Sequence, residues 1–93
     1  PITYSVVKSG MIGLTKYLST YWAKQNVRCN VICPGGIKTN QSKLFLNKIH
    51  KLIPLNRMAK KNEYKSTIIW ILSENSEYLN GAVISIDGGR TAW

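Results

Sequence analysis

Apolar residues fall at Val7, Met11, Leu14, Leu18 and then Tyr21 or Trp22. These alternating steps of three and four predict a long helix from Thr3 to about Lys24, with one buried face. Gly10 and Gly13 interrupt it, each at a cost of about 1 kcal/mol against alanine. Their expected use is close packing against a neighbouring backbone. The helix is expected to end near Gln25-Asn26. The stretch VRCNVIC is short, apolar and β-branched, and Pro34-Gly35-Gly36 halt it, which predicts a buried strand. A polar loop and a short amphipathic helix follow, with Leu44, Leu46, Ile49 and Leu52 as its apolar positions. A further helix is expected from about Asn62 to Leu72, burying Tyr64, Ile68, Ile71 and Leu72. NSEYLNG is turn chemistry, AVISID alternates as a strand does, and Gly88-Gly89 end it.

The order helix, strand, short helix, helix, strand predicts an α/β arrangement. A strand–helix–strand passage of this length favours a parallel pair joined by a right-handed crossover. Parallel sheets have both faces covered, and 93 residues supply too little chain for the additional strands. The chain also opens on Pro1, in mid-pattern and without an initiator methionine. The expectation is half of an α/β fold, the tail of a longer protein.

Composition changes this picture little. With 44% hydrophobic and 18% charged residues the chain is globular rather than disordered. No apolar run reaches the roughly 20 residues needed to span a bilayer. The formal charge of +9 raises a polyanionic partner such as nucleic acid. Against it, the lysines are scattered, only Lys60 and Lys61 are adjacent, and no aromatic residues interleave with them as a stacking platform requires. Cys29 and Cys33 lie too far apart along an extended strand for a disulfide. Without further cysteine or nearby histidine they do not form a zinc site either. They read as small hydrophobes facing one side of the strand in a reducing cytoplasm.

The candidate chemistry begins with Tyr4 and Lys8, one turn apart on one helix face. A tyrosine ordinarily titrates near pH 10, and a neighbouring ammonium favours its phenolate. The pair can serve as a general acid–base for a substrate oxygen. Five tyrosines in a lysine-rich chain also produce this spacing by chance. His50, a lone histidine, reads as a surface side chain, and Asp87 as a residue that shapes a turn.

Taken together, YSVVK, NVICPGGIKT and YLNGAVISIDGG, in that order, resemble the C-terminal half of the short-chain dehydrogenase/reductase family. The likeness runs from Thr3 to Gly89. GGRTAW and PLNRMAKKNEY look most like bacterial members of surface-sugar and flagellin-glycan pathways. The resemblance implies the C-terminal portion of a single Rossmann-like, doubly wound parallel sheet spanning 1–93, with the N-terminal nucleotide-binding half outside these residues. It implies hydride transfer between NAD or NADP and a small carbonyl or alcohol substrate, a sugar derivative among the candidates. Tyr4 would be the catalytic acid–base. Lys8 would bind the nicotinamide ribose and lower the tyrosine pKa. Pro34, Gly35, Gly36 and Ile37 would form the loop beside the nicotinamide, Ile37 offering backbone groups to its carboxamide and Thr39 a hydroxyl. Residues 41–52 would be a flap over the substrate. The first helix, with Tyr17, Tyr21 and Trp22, would contribute to a homodimer or homotetramer interface in a cytoplasmic protein without membrane attachment, while each of these residues taken singly reads equally well as intramolecular core.

The family pattern also requires a glycine-rich pyrophosphate turn, a polarising serine and a relay asparagine, all upstream of Tyr4. SGMIG lies inside the helix and does not substitute. The 93 residues alone are therefore expected to be inactive. Two other readings stand beside the enzyme: a non-catalytic remnant or oligomerisation module, and a basic nucleic-acid-binding surface.

Overall fold

The computed structural model describes residues 1–93. Helix α1 spans Ile2–Tyr21, β1 Val31–Pro34, α2 Lys43–His50, α3 Lys65–Leu72 and β2 Val83–Ile86. Short 3-10 turns cover Ala23–Gln25, Lys61–Tyr64 and Glu74–Ser76. The strands form a two-stranded sheet. The Val31 N–H donates to the Ala82 carbonyl and the Gly35 N–H to that of Ile86, so both strands advance in step and the pair is parallel, as expected. The chain divides into two compact units, Pro1–Ile32 with Ile69–Ile84 and Cys33–Ile68 with Ser85–Trp93.

In the first unit, α1 closes through Asn26, whose left-handed backbone (φ 59°) ends the Ala23–Gln25 turn. Within this chain, the side of α1 that gains cover is Ile12, Thr15, Leu18 and Ser19. The face set by the hydrophobic steps is mostly open: Val7 is 57% exposed and Leu14 55%. A Cβ built on Gly10 or Gly13 meets nothing within 4 Å, so the close packing expected there is not made in this chain.

Polar groups hold the unit instead. Ser19 is buried, and the Asn80 side-chain amide donates to its carbonyl at 2.8 Å. The Arg28 guanidinium donates to the carbonyls of Leu79 and Ile71 at 3.0 and 2.9 Å, with a longer 3.5 Å approach to Ser73. Asn30 accepts from the Ala82 N–H and donates to the Leu79 carbonyl. The first strand begins later than VRCNVIC predicts for the same reason. The Cys29 N–H is satisfied by the Asn80 side-chain oxygen and its carbonyl by the Gly81 N–H, so side-chain and turn bonds replace a ladder up to Asn30. Cys29 thus lies outside β1 and Cys33 within it; both are half-buried free thiols.

The second unit carries the buried apolar residues of the chain, Ile53, Met58 and Tyr64. Ser42 caps α2, accepting from the Phe45 N–H at 3.2 Å. The helix expected from Asn62 to Leu72 is broken at Tyr64 into a 3-10 turn and α3. Of its predicted buried face, Tyr64 is buried and Ile71 half-buried, whereas Ile68 and Leu72 are exposed, Leu72 at 78%. His50 is half-buried at the end of α2 rather than a surface side chain. Asp87 shapes a turn as expected, accepting from the N–H groups of Gly89 and Thr91 and from the Thr91 hydroxyl.

Replacing Arg28 by alanine strips two well-placed donors from half-buried carbonyls. We expect a loss of about 1–3 kcal/mol, read as a lower urea midpoint at unchanged slope. Arg28→Lys should recover only part of it, because the single ammonium nitrogen cannot stand where both guanidinium nitrogens stand.

Candidate active site

Tyr4 and Lys8 sit on the first turns of α1, in the first unit. The structure brings them together as the spacing predicts: the Lys8 ammonium lies 5.5 Å from the centre of the Tyr4 ring. Tyr4 is 63% exposed, so its hydroxyl is open to an incoming group. A helical position keeps the pair aligned, since residues four apart share a face.

Pro34, Gly35, Gly36, Ile37 and Thr39 lie in the second unit, beginning where β1 ends. Here the main chain runs against β2 with no room for a side chain. A Cβ on Gly35 would lie 2.8 Å from the Asp87 Cα and 3.1 Å from its Cβ. Ile37 then forms an isolated parallel bridge with Ala59. Ala59 donates to the Gly36 carbonyl at 3.0 Å and accepts from the Lys38 N–H at 2.8 Å. These bonds use the residues on either side of Ile37, so the N–H and C=O of Ile37 itself point away from Ala59. That geometry leaves the Ile37 N–H outward, as a main-chain donor for a flat amide ligand.

Gln41, whose contacts spacing alone does not reveal, closes this loop with its side chain. Its amide donates to the Ile37 carbonyl at 3.0 Å and its oxygen accepts from the Thr39 N–H at 2.7 Å. Tyr64 is the second residue that pattern reading missed in this role. Its hydroxyl donates to the Gly35 carbonyl at 3.1 Å. Periodicity marks Tyr64 as buried but says nothing of what its oxygen reaches. Burial pushes the phenol above its ordinary range, with the Glu63 and Asp87 charges adding to the effect.

A cavity of about 190 Å³ opens beside the loop, lined by Gly35, Ile53, Arg57, Glu63, Tyr64 and Asp87 among others. Its charged wall is a forked ion pair together with Asp87. Arg57 donates to both Glu63 oxygens at 2.7 Å, and Glu63 also accepts from the Lys60 N–H at 2.7 Å. The Arg57 bonds, reinforced by the Lys60 N–H, hold the Glu63 carboxyl down to about 2 and raise the Arg57 guanidinium in turn. The Thr91 hydroxyl, helped by backbone N–H groups, holds Asp87 below its usual range. No three metal-ligating side chains converge, and no helix is long and apolar enough to cross a membrane.

Residues 2–91 match the family model described as "Enoyl-(Acyl carrier protein) reductase". A short-chain dehydrogenase from Leptospira borgpetersenii, solved with bound NAD+, superposes with a TM-score of 0.91 at 40% identity. This chain belongs to the short-chain dehydrogenase/reductase family. That superposition covers 95% of this chain and 35% of the Leptospira one. A 4-hydroxyisoleucine dehydrogenase complexed with NADH aligns over 97% of this chain and 40% of its own, at a TM-score of 0.91 and 31% identity. Among curated relatives, an NADH-dependent L-xylulose reductase of Ambrosiozyma monospora is 36% identical, covering 99% of this chain and 37% of that protein. A 3-oxoacyl-(acyl-carrier-protein) reductase of Thermotoga maritima is 37% identical, covering 92% and 37%. The chain thus spans little more than a third of the length of these relatives. The α/β fold with a parallel sheet, expected from sequence, is shared with the solved family members.

Two outcomes follow from this geometry. Gly35→Ala drives a methyl into backbone and should cost about 1–3 kcal/mol, whereas Gly36→Ala meets only the Met58 methyl at 2.7 Å, the end of a flexible chain, and should cost less than about 1 kcal/mol. Glu63 is depressed in the folded state, so its pairing stabilises the protein fully above pH 4.5 and is lost as pH falls toward 2. Glu63→Gln should flatten that part of the acid limb of the melting temperature. The share due to Asp87, also depressed, should remain.

Proposed function

We propose that this chain carries the acid–base and nicotinamide-facing part of an NAD(P)-dependent oxidoreductase acting on a small carbonyl or alcohol. Two features, one in each unit, carry this reading: the Tyr4–Lys8 pair on α1, and the Gly35–Ile37 main chain with its outward Ile37 N–H. The cofactor, when bound, supplies or accepts the hydride. Tyr4 gives its phenolic proton to the substrate oxygen during reduction and takes it back during oxidation. Lys8 places positive charge beside that phenol and donates to a ribose hydroxyl. The Ile37 N–H holds a carboxamide, the Ile37 carbonyl offers it the lone pair left beside the Gln41 amide, and the Thr39 hydroxyl is a further donor. Pro34, Gly35 and Gly36 let main chain approach the ring. Residues 41–52, containing α2, serve as a flap over the substrate.

Relatives name the range of chemistry: one reduces L-xylulose with NADH, another is a 3-oxoacyl-(acyl-carrier-protein) reductase. A sugar-related carbonyl is the narrower reading. The xylulose reductase supports it, as does the resemblance of GGRTAW and PLNRMAKKNEY to surface-sugar and flagellin-glycan members. Free Cys29 and Cys33 support a reducing, cytoplasmic setting. A homodimer or homotetramer through α1 is supported by the stacked, exposed Tyr17 and Tyr21 rings, 5.6 Å apart. The glycine-rich turn, serine and asparagine of the family pattern are not found among the 93 residues, so the reading assigns turnover to a full-length protein that carries them.

In that protein, Tyr4→Phe should lower kcat by about 10²-fold or more while cofactor affinity stays within about threefold. Lys8→Ala should lower kcat and also weaken cofactor binding, since it serves both. Fluorescence titration with NADH and NADPH beside steady-state turnover reads both effects. Full activity of Tyr4→Phe would end the assignment.

A further inference from the structure

Tyr64 is 7% exposed, one of three buried large apolar side chains in the whole chain. Filling that position by packing alone would not require an oxygen. A buried phenol is costly unless its hydroxyl finds a partner, and this one reaches the Gly35 carbonyl at 3.1 Å. Gly35 is already held from the other side, its N–H on Ile86 and its Cα against Asp87. The segment leading to Tyr64 grips the next points along the loop, as Ala59 bonds both Gly36 and Lys38. Glu63, immediately before Tyr64, is anchored by Arg57 and the Lys60 N–H, which sets the register at which the ring enters. The result is a backbone fixed at Gly35, Gly36 and Lys38, with the Ile37 carbonyl held by the Gln41 amide and the Ile37 N–H left outward.

Resting on the reading of this loop as the nicotinamide contact, we propose that Tyr64 is a positioning residue. Its hydroxyl, donated to the Gly35 carbonyl, sets the loop path that presents Ile37 to the cofactor carboxamide. The phenol stays protonated, and so remains a donor, throughout the neutral range, because burial raises it. Tyr64 does not touch the reacting atoms in this assignment; it acts through the main chain.

The test compares two ligands on the full-length protein: the reduced dinucleotide, and ADP-ribose (or its 2′-phosphate), which lacks the nicotinamide. Tyr64→Phe keeps the ring and removes only the donor. It should weaken the dinucleotide about 3- to 10-fold, lower kcat by a similar factor and leave ADP-ribose binding unchanged. Amide exchange across residues 35–38 should quicken by a similar factor. A 4-aminophenylalanine at position 64, which still donates, should restore dinucleotide affinity. Equal loss of both ligands would show a merely structural role and overturn the proposal. So would unchanged binding of both, or a Tyr64→Phe protein without a cooperative melt, since the hydroxyl would then hold the fold and not the loop. The parallel Tyr4→Phe measurement separates the two levels. If that variant is inactive yet binds cofactor while Tyr64→Phe behaves as wild type, only the role of Tyr64 falls. If Tyr4→Phe keeps full turnover, the oxidoreductase reading falls and this role with it.

Discussion

The constraint on which the rest of the second unit depends is the approach of the Gly35 main chain to that of Asp87. At 2.8 Å from where a Cβ would sit to the Asp87 Cα, no side chain fits, and two strand ends meet backbone to backbone. The Gly35 N–H can then reach Ile86 and its carbonyl Tyr64, so both polar groups of one residue are satisfied on opposite sides. The Ile37–Ala59 bridge and the Gln41 loop closure lie directly beyond that point along the chain.

The first unit solves a different problem. It buries no large apolar side chain fully, and its order comes from a few polar side chains that each hold several backbone groups. Arg28 holds two carbonyls closely, Asn80 bridges Cys29 and Ser19, and Asn30 joins Ala82 to Leu79. Side chains that satisfy irregular backbone do what a ladder does in a sheet, and with the same penalty if one partner is removed. Turn residues in NSEYLNG are therefore structural anchors rather than a neutral connection.

Charge is distributed unevenly between these roles. Against a formal charge of +9, the one salt bridge is the forked Arg57–Glu63 pair, whose carboxylate also anchors the Lys60 N–H. One acidic residue thus fixes the register of the turn that delivers Tyr64 to Gly35. An exposed ion pair contributes little to stability as a rule, and the importance of this one is geometric.

Element types and order were legible in the sequence because they rest on local rules. Three-and-four spacing marked α1, Pro34-Gly35-Gly36 and Gly88-Gly89 marked the strand ends, and Tyr4 and Lys8 fell one turn apart with no tertiary information. The same local rules misplaced burial: Val7, Leu14, Ile68 and Leu72 lie on apolar stripes, but a stripe states a preference, and only neighbouring chain decides whether it is covered. The start of β1 was misread because the bonds of Cys29 depend on Asn80 and Gly81, some 50 residues away. For that same reason the Gly35–Asp87 approach and the hydroxyl of Tyr64 escaped notice. Residue type and spacing determined which groups could do chemistry. The partners of Gly35, Ile37 and Tyr64 were decided by the tertiary structure, because a hydrogen bond is set by positions that distant segments take in space.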